Sequence, residues 1–256
     1  MPEASEGDCR PSGAGLLFTT MLTMPAEALA KALADDPARS VPLVQAAAAM
    51  GLAAGKVRLG RMMLEGSGLP QDRDAAFRWF WAAAEQDDVE AWNMVGRCFE
   101  NGWGVPIDYR QAAHWFTRAT EAGDAWAQYN LGHLFLNGLG VPRSAAAAVD
   151  LYRAASDQGH PRAMNLLGRC YEQGWGVPLD TGAAAHWYRR SAEGGYFRGQ
   201  FNHATLLYDA GARDDAIEWL TRAAASAPPN SMPAITAKAE EWERATSVSV
   251  QRSRPC

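Results

Sequence analysis

Cys98 and Cys170, His114 and His186, and the tryptophans of NGWGVP (101–106) and QGWGVP (173–178) have the types that could do chemistry. Thiolates and imidazoles bind zinc or serve nucleophilic catalysis. An aromatic ring between two glycines could line a ligand loop. Members of each pair stand 72 residues apart. A second set carries charge and amides: Arg61, Arg97, His133 and Arg169 in one column, Asn93, Tyr129 and Asn165 in another, each at steps of 36. A shared interval across unrelated residue types suggests that place in a repeat, rather than convergence on one centre, puts these residues where they are.

The interval runs through the chain. Gly60, Gly96, Gly132 and Gly168 keep the 36-residue step, as do Gly66, Gly102, Gly138 and Gly174. So do Gly68, Gly104, Gly140 and Gly176, then Pro70, Pro106, Pro142 and Pro178. Trp79, Trp115, Leu151 and Trp187 are followed in turn by Phe80, Phe116, Tyr152 and Tyr188. Each repeat reads as helix–loop–helix. In 90–101, Ala91, Val95, Cys98 and Phe99 share one helical face. Gly102 stands where a helix ends left-handed, and Pro106 prevents the helix from resuming. The column Asp72, Asp108, Ser144, Asp180 supplies N-caps for the second helix. That helix carries Ala112, Trp115, Phe116 and Ala119 on one stripe.

The fold class is therefore all-α, a stack of about thirteen helices with degenerate end units. The organisation reads as a flexible tail at 1–23 and a degenerate helix pair at 24–52. The array spans 53–226, divided 53–88, 89–124, 125–160, 161–196 and a degenerate 197–226. A capping helix at 227–246 and a flexible tail at 247–256 complete it. Net charge is −5 with no basic stripe, which argues against nucleic-acid binding. No apolar run reaches the length of a membrane span. The short apolar stretch at 16–22 follows Glu3, Glu6 and Asp8 rather than a basic segment, so export through it is not expected.

The pattern resembles the Sel1-like repeat, written here as LLGRCYEQGWGVPLDTGAAAHWYRRSA (166–192). That family is similar to the tetratricopeptide repeats and forms right-handed α-solenoids. The resemblance covers 53–226 well and 25–52 weakly. Leu151 and Ser144 are the departures, and neither should break the fold. Membership implies a scaffold that binds other proteins or peptides on a concave side, and the favoured function is a non-enzymatic adaptor.

Against that frame the candidates sort themselves. Helices pack at about 8–10 Å, so Cys98 and Cys170, two repeats apart, should lie roughly 20 Å or more from each other. Neither a disulfide nor a shared zinc can join them. Some secreted relatives in the family carry a disulfide within each repeat, and the partner cysteine is missing here. Buried thiols in a reducing cytoplasm are expected. His114 and His186 should face solvent. No Walker loop, G-x-S-x-G, S-x-x-K set or H-E-x-x-H occurs, so no catalytic residue, cofactor or metal is expected. Trp103 and Trp175 divide between two readings, a protein interface or packing over the neighbouring loop.

The sharpest signal is on the first helices. With the core stripe at Ala91, Val95 and Phe99, positions 93, 97 and 100 point away from it. The peptide-binding candidates are Asn93, Arg97, Tyr129, His133, Asn165, Arg169 and Arg61. Asn amides suit a peptide backbone and Arg suits a carboxylate, so a partner bearing acidic residues is expected. The competing reading pairs Arg97 with Glu100 and Arg169 with Glu172 along a solvated face. Two other functions stay open: a hydrolase of the cysteine-rich, β-lactamase-like kind, and a self-associating structural protein that forms homo-oligomers through Trp103 and Trp175.

Overall fold

The computed structural model describes residues 37–252, and all its regular elements are helical. They are α1 Pro37–Ala49, α2 Ala53–Glu65, α3 Arg73–Ala84, α4 Val89–Asn101, α5 Tyr109–Glu121 and α6 Ala125–Asn137. Then follow α7 Ala145–Asp157, α8 Pro161–Gln173, α9 Thr181–Glu193, α10 Phe197–Asp209, α11 Arg213–Ser226, a 3-10 turn Pro229–Ser231 and α12 Met232–Arg252. The expected helix at 25–35 and the tail at 1–23 lie outside the described residues. The last helix runs past residue 246. Pro233 sits in its first turn, where a missing N–H is no loss.

The chain divides into two compact units, one ending at Ala122 and the other beginning at Gly123. In the first, α1 to α5 pack consecutively, and α2 also touches α4. In the second, α6 to α11 pack consecutively, α8 also touches α10, and α12 rests on α11.

The local chemistry repeats as the columns require. Asp72 Oδ1 accepts from Ala75 N–H at 2.8 Å, Asp108 Oδ1 from Gln111 N–H at 3.1 Å, Ser144 Oγ from Ala147 N–H at 3.2 Å and Asp180 Oδ1 from Ala183 N–H at 2.9 Å. A cap of this kind contributes about 1 kcal/mol. The same residues close the inter-helix loop by donating their own N–H to a carbonyl of the first helix, as Asp108 does to Phe99 at 2.9 Å. Three of the first helices are capped as well: Asp88 Oδ1 accepts from Ala91 N–H at 2.8 Å, Asp124 Oδ1 from Ala127 N–H at 2.6 Å and His160 Nδ1 from Ala163 N–H at 3.1 Å.

Two glycines show why the loop and the helix keep theirs. Gly104 has φ +72°, and a Cβ there would overlap the Arg73 carbonyl. Gly96 lies mid-helix, where a Cβ would meet the Phe116 ring at 2.6 Å. The recurring Gly–aromatic pair thus lets the second helix drive its ring flat against the first. Phe80, Phe116, Tyr152 and Tyr188 are all buried this way.

The first helices are buried round more of their circumference than one stripe. Ala91, Val95 and Cys98 are fully buried, Phe99 half so, and Asn93 is only 5% exposed. The expectation that position 93 points clear of the core is corrected by this packing. Two pairs of first helices touch, α2 with α4 and α8 with α10, and Val57, Asn93 and Asn165, of one column on these helices, are buried. Asn202 of α10 donates to Asn165 Oδ1 of α8 at 2.8 Å across one such contact.

Candidate functional site

Arg61 on α2 and Arg97 on α4 occupy the same column and line one cleft of about 360 Å³ in the first compact unit. Arg73, at the start of α3, adds a third guanidinium. Trp103 forms an edge of the cleft, and its ring lies under the Arg97 guanidinium at 5.0 Å. Arg61 pairs with Glu90 at 2.6 Å, both side chains about half exposed. Such a pair contributes at most about 1 kcal/mol and yields readily to a competing anion.

The equivalent residues of the second unit behave similarly. Arg169 on α8 lies over the Trp175 ring at 5.4 Å. The pairing of Arg169 with Glu172 does not form. Glu172 Oε2 instead accepts the Tyr188 hydroxyl at 3.0 Å and the Gln173 amide at 3.2 Å. Arg169 and Asn165 line a cavity of about 460 Å³ with Arg198 and Asn202 of α10 and Asn230 of the 3-10 turn.

The structure therefore brings together Arg61 with Arg97, and Asn165 with Arg169. It does not bring Asn93 into the first cleft, where Met94 takes that place in the lining. Tyr129 is engaged in an aromatic cluster, stacked on His160 at 5.1 Å and 28°. His133 is exposed, with Asn137 Nδ2 at 3.3 Å from its Nδ1. Trp103 and Trp175 are half-buried, each against a core shared by its own and the preceding repeat, and each carries its arginine.

Arg73, Arg198, Asn202 and Asn230 were not expected at these clefts. The signal for Arg198 lies in the column Glu90, Trp126, Arg162, Arg198, seven residues before 97, 133, 169 and 205 and so on the same helical face. The Arg61–Glu90 pair is the direct evidence that this column meets the preceding repeat's arginine column.

The other chemical candidates do not line these clefts. Cys98 and Cys170 are free and fully buried. Burial pushes the Cys98 thiol up to about 12 and the Cys170 thiol up to about 11, against thiolate formation. His114 and His186 are exposed, each edge-on to the neighbouring tryptophan. Among the described residues no cluster of three His, Cys, Asp or Glu could hold a metal ion. No described helix is long and apolar enough to cross a membrane.

Helix pairs repeated at one interval, with loops closed by one hydrogen bond and clefts along the first helices, define an α/α repeat protein of the solenoid class. The Sel1 repeat model matches residues 53–88, 89–124, 127–160, 161–196 and 198–227, and the chain belongs to the Sel1 repeat family. Members of that family are generally protein-interaction scaffolds and typically non-catalytic. No curated protein matches the chain. Among solved structures, a Sel1 repeat protein from Oxalobacter formigenes is 27% identical with a TM-score of 0.71, covering 81% of this chain and 87% of its own. The protein c5321, a protective antigen of uropathogenic Escherichia coli, is 32% identical with a TM-score of 0.61 over 74% of this chain. This chain covers 41% of that protein's length. A putative Sel1 repeat protein from Klebsiella pneumoniae, 20% identical at a TM-score of 0.54, shares the fold.

Proposed function

We propose that the protein is a non-enzymatic adaptor that holds an extended segment of a partner protein along the exposed face of its first helices. Arg61, Arg97, His133 and Arg169 meet negative charge on that segment. Asn165 addresses its backbone, and Trp103 and Trp175 present each arginine rather than forming contacts alone. The observation that carries this reading is the repeated Arg-on-Trp arrangement, with Arg169 in no ion pair among the described residues. A guanidinium laid on an indole is pre-oriented, so little side-chain entropy is lost when a carboxylate arrives. Asn93 is buried along the contact between first helices and contributes, on this reading, by holding them in register.

The test uses peptides selected from a random display library on the purified protein. The Arg97→Glu, Arg169→Glu double variant should bind the selected peptides at least tenfold more weakly by calorimetry, about 1.4 kcal/mol, with an unchanged melting temperature. Both side chains lie outside the core, so the fold should tolerate the change. Undiminished affinity would remove the first-helix face from the account.

A further inference from the structure

Resting on that reading, we infer that the cavity at the end of the second unit is a subsite for the carboxylate of an extended peptide. It lies between α8, α10 and α12, with α12 supplying a wall. Arg169 and Arg198 both line it, and among the described residues no acidic side chain does. Neither arginine forms an ion pair among the described residues, and both are exposed. In the first unit Glu90 stands where Arg198 stands here, and neutralises Arg61. The last described repeat replaces that acid with a second cation, so the charge balance of the cleft reverses.

The amides complete the pattern. Asn165 is 3% exposed, and its Oδ1 is taken by the Asn202 Nδ2 donor at 2.8 Å. That bond fixes the orientation of the Asn165 amide at the cavity it lines. An amide held in this way can donate to an acceptor that enters the cavity. The two guanidinium forks match the two oxygens of a carboxylate, and the Asn165 amide beside them suits the adjoining backbone carbonyl. Phe197 and Phe201 give an apolar floor for the neighbouring side chain of the same ligand.

A monoanion fits better than a phosphate dianion. The adjoining cavity along α10 carries Glu172 and Glu241, the latter paired with Lys238 at 3.1 Å. Those carboxylates oppose a second negative charge and accept backbone N–H groups from a peptide running past the anion. The carboxylate has two sources, a chain terminus or an Asp or Glu side chain, and the probes separate them.

Side-chain amide resonances of Asn165 and Asn202 in the full 15N-labelled chain report the site. Three peptides serve as probes, acetyl-Ala-Leu-Ala-Ala with a free carboxyl, acetyl-Ala-Leu-Glu-Ala amide and acetyl-Ala-Leu-Ala-Ala amide, with inorganic phosphate beside them. At least one carboxylate-bearing peptide should shift these resonances saturably, and whichever binds tighter identifies the source. The neutral amide should not shift them, and Arg198→Ala should weaken binding at least tenfold. Equal binding of the neutral peptide, equal binding of phosphate, or indifference to Arg198→Ala overturns the inference. The adaptor reading is judged apart from this, because library-selected peptides that depend on Arg97 but not on Arg198 would leave it standing. Selected peptides that depend on neither would end both.

Discussion

Tyr152 and Tyr188 occupy one column and are equally buried, yet their hydroxyls have different fates. Tyr188 donates to Glu172, whereas the Tyr152 hydroxyl finds no partner among the described residues. The reason is the residue one helix away, Leu136 where the later repeat has Glu172. Tyr152→Phe should therefore leave stability unchanged or raise it by about 1 kcal/mol, and Tyr188→Phe should cost about as much, measured by urea denaturation. His160 presents a second residue-scale case. Its Nδ1 accepts from Ala163 N–H, so the cap needs the neutral ring, and Nε2 has no partner. Burial, with Arg162 nearby, pulls its pKa down to about 4. The unfolded chain then binds the proton first, so stability is full above about pH 6.5 and falls as pH drops towards 4. The loss is at most about 3 kcal/mol, and His160→Asn, which keeps a capping oxygen, should flatten that part of the pH profile relative to wild type. The cap was not legible from the sequence, because histidine is an unusual residue in a column that reads Asp88, Asp124, His160.

At the scale of the element, the 36-residue interval told almost everything about the helix pairs. Gly, Pro and N-cap columns constrain the backbone directly, so they read out as loops and helix starts without tertiary knowledge. What periodicity could not tell was how far round each first helix is buried. A stripe argument assumes one packing partner, whereas α4 packs on α3, α5 and α2. That is why Asn93 is buried when its angular position suggested exposure. Two substitutions test the packing. Gly96→Ala forces a methyl into the Phe116 ring and should cost about 1–3 kcal/mol. Asp87, with φ +59°, stands where the later repeats have Gly123, Gly159 and Gly195. Asp87→Gly should gain up to about 1 kcal/mol by relieving the left-handed backbone, since the exposed Arg118–Asp87 pair it loses contributes little. Thermal denaturation of the two variants beside wild type gives both values.

At the scale of the whole molecule, the repeat plan makes chemistry-bearing residues recur rather than converge. Cysteines, histidines and tryptophans stand in matching slots and separate cores, so the chain offers a series of similar contacts in place of one centre. The Arg61, Arg97 and Arg169 column was legible because its spacing is that of the repeat. The meeting of Arg198, Asn202 and Asn230 with that column was not, because it depends on how α8, α10 and α12 pack. The central claim is that a partner segment lies along the first helices. Amide shift mapping of the full 15N-labelled chain with a library-selected peptide tests it most directly. The account predicts perturbations confined to α2, α4, α6, α8 and α10 and to the clefts that hold Arg97 and Arg169. Perturbations centred on the second helices α3, α5, α7 and α9, with the arginine clefts silent, would contradict it.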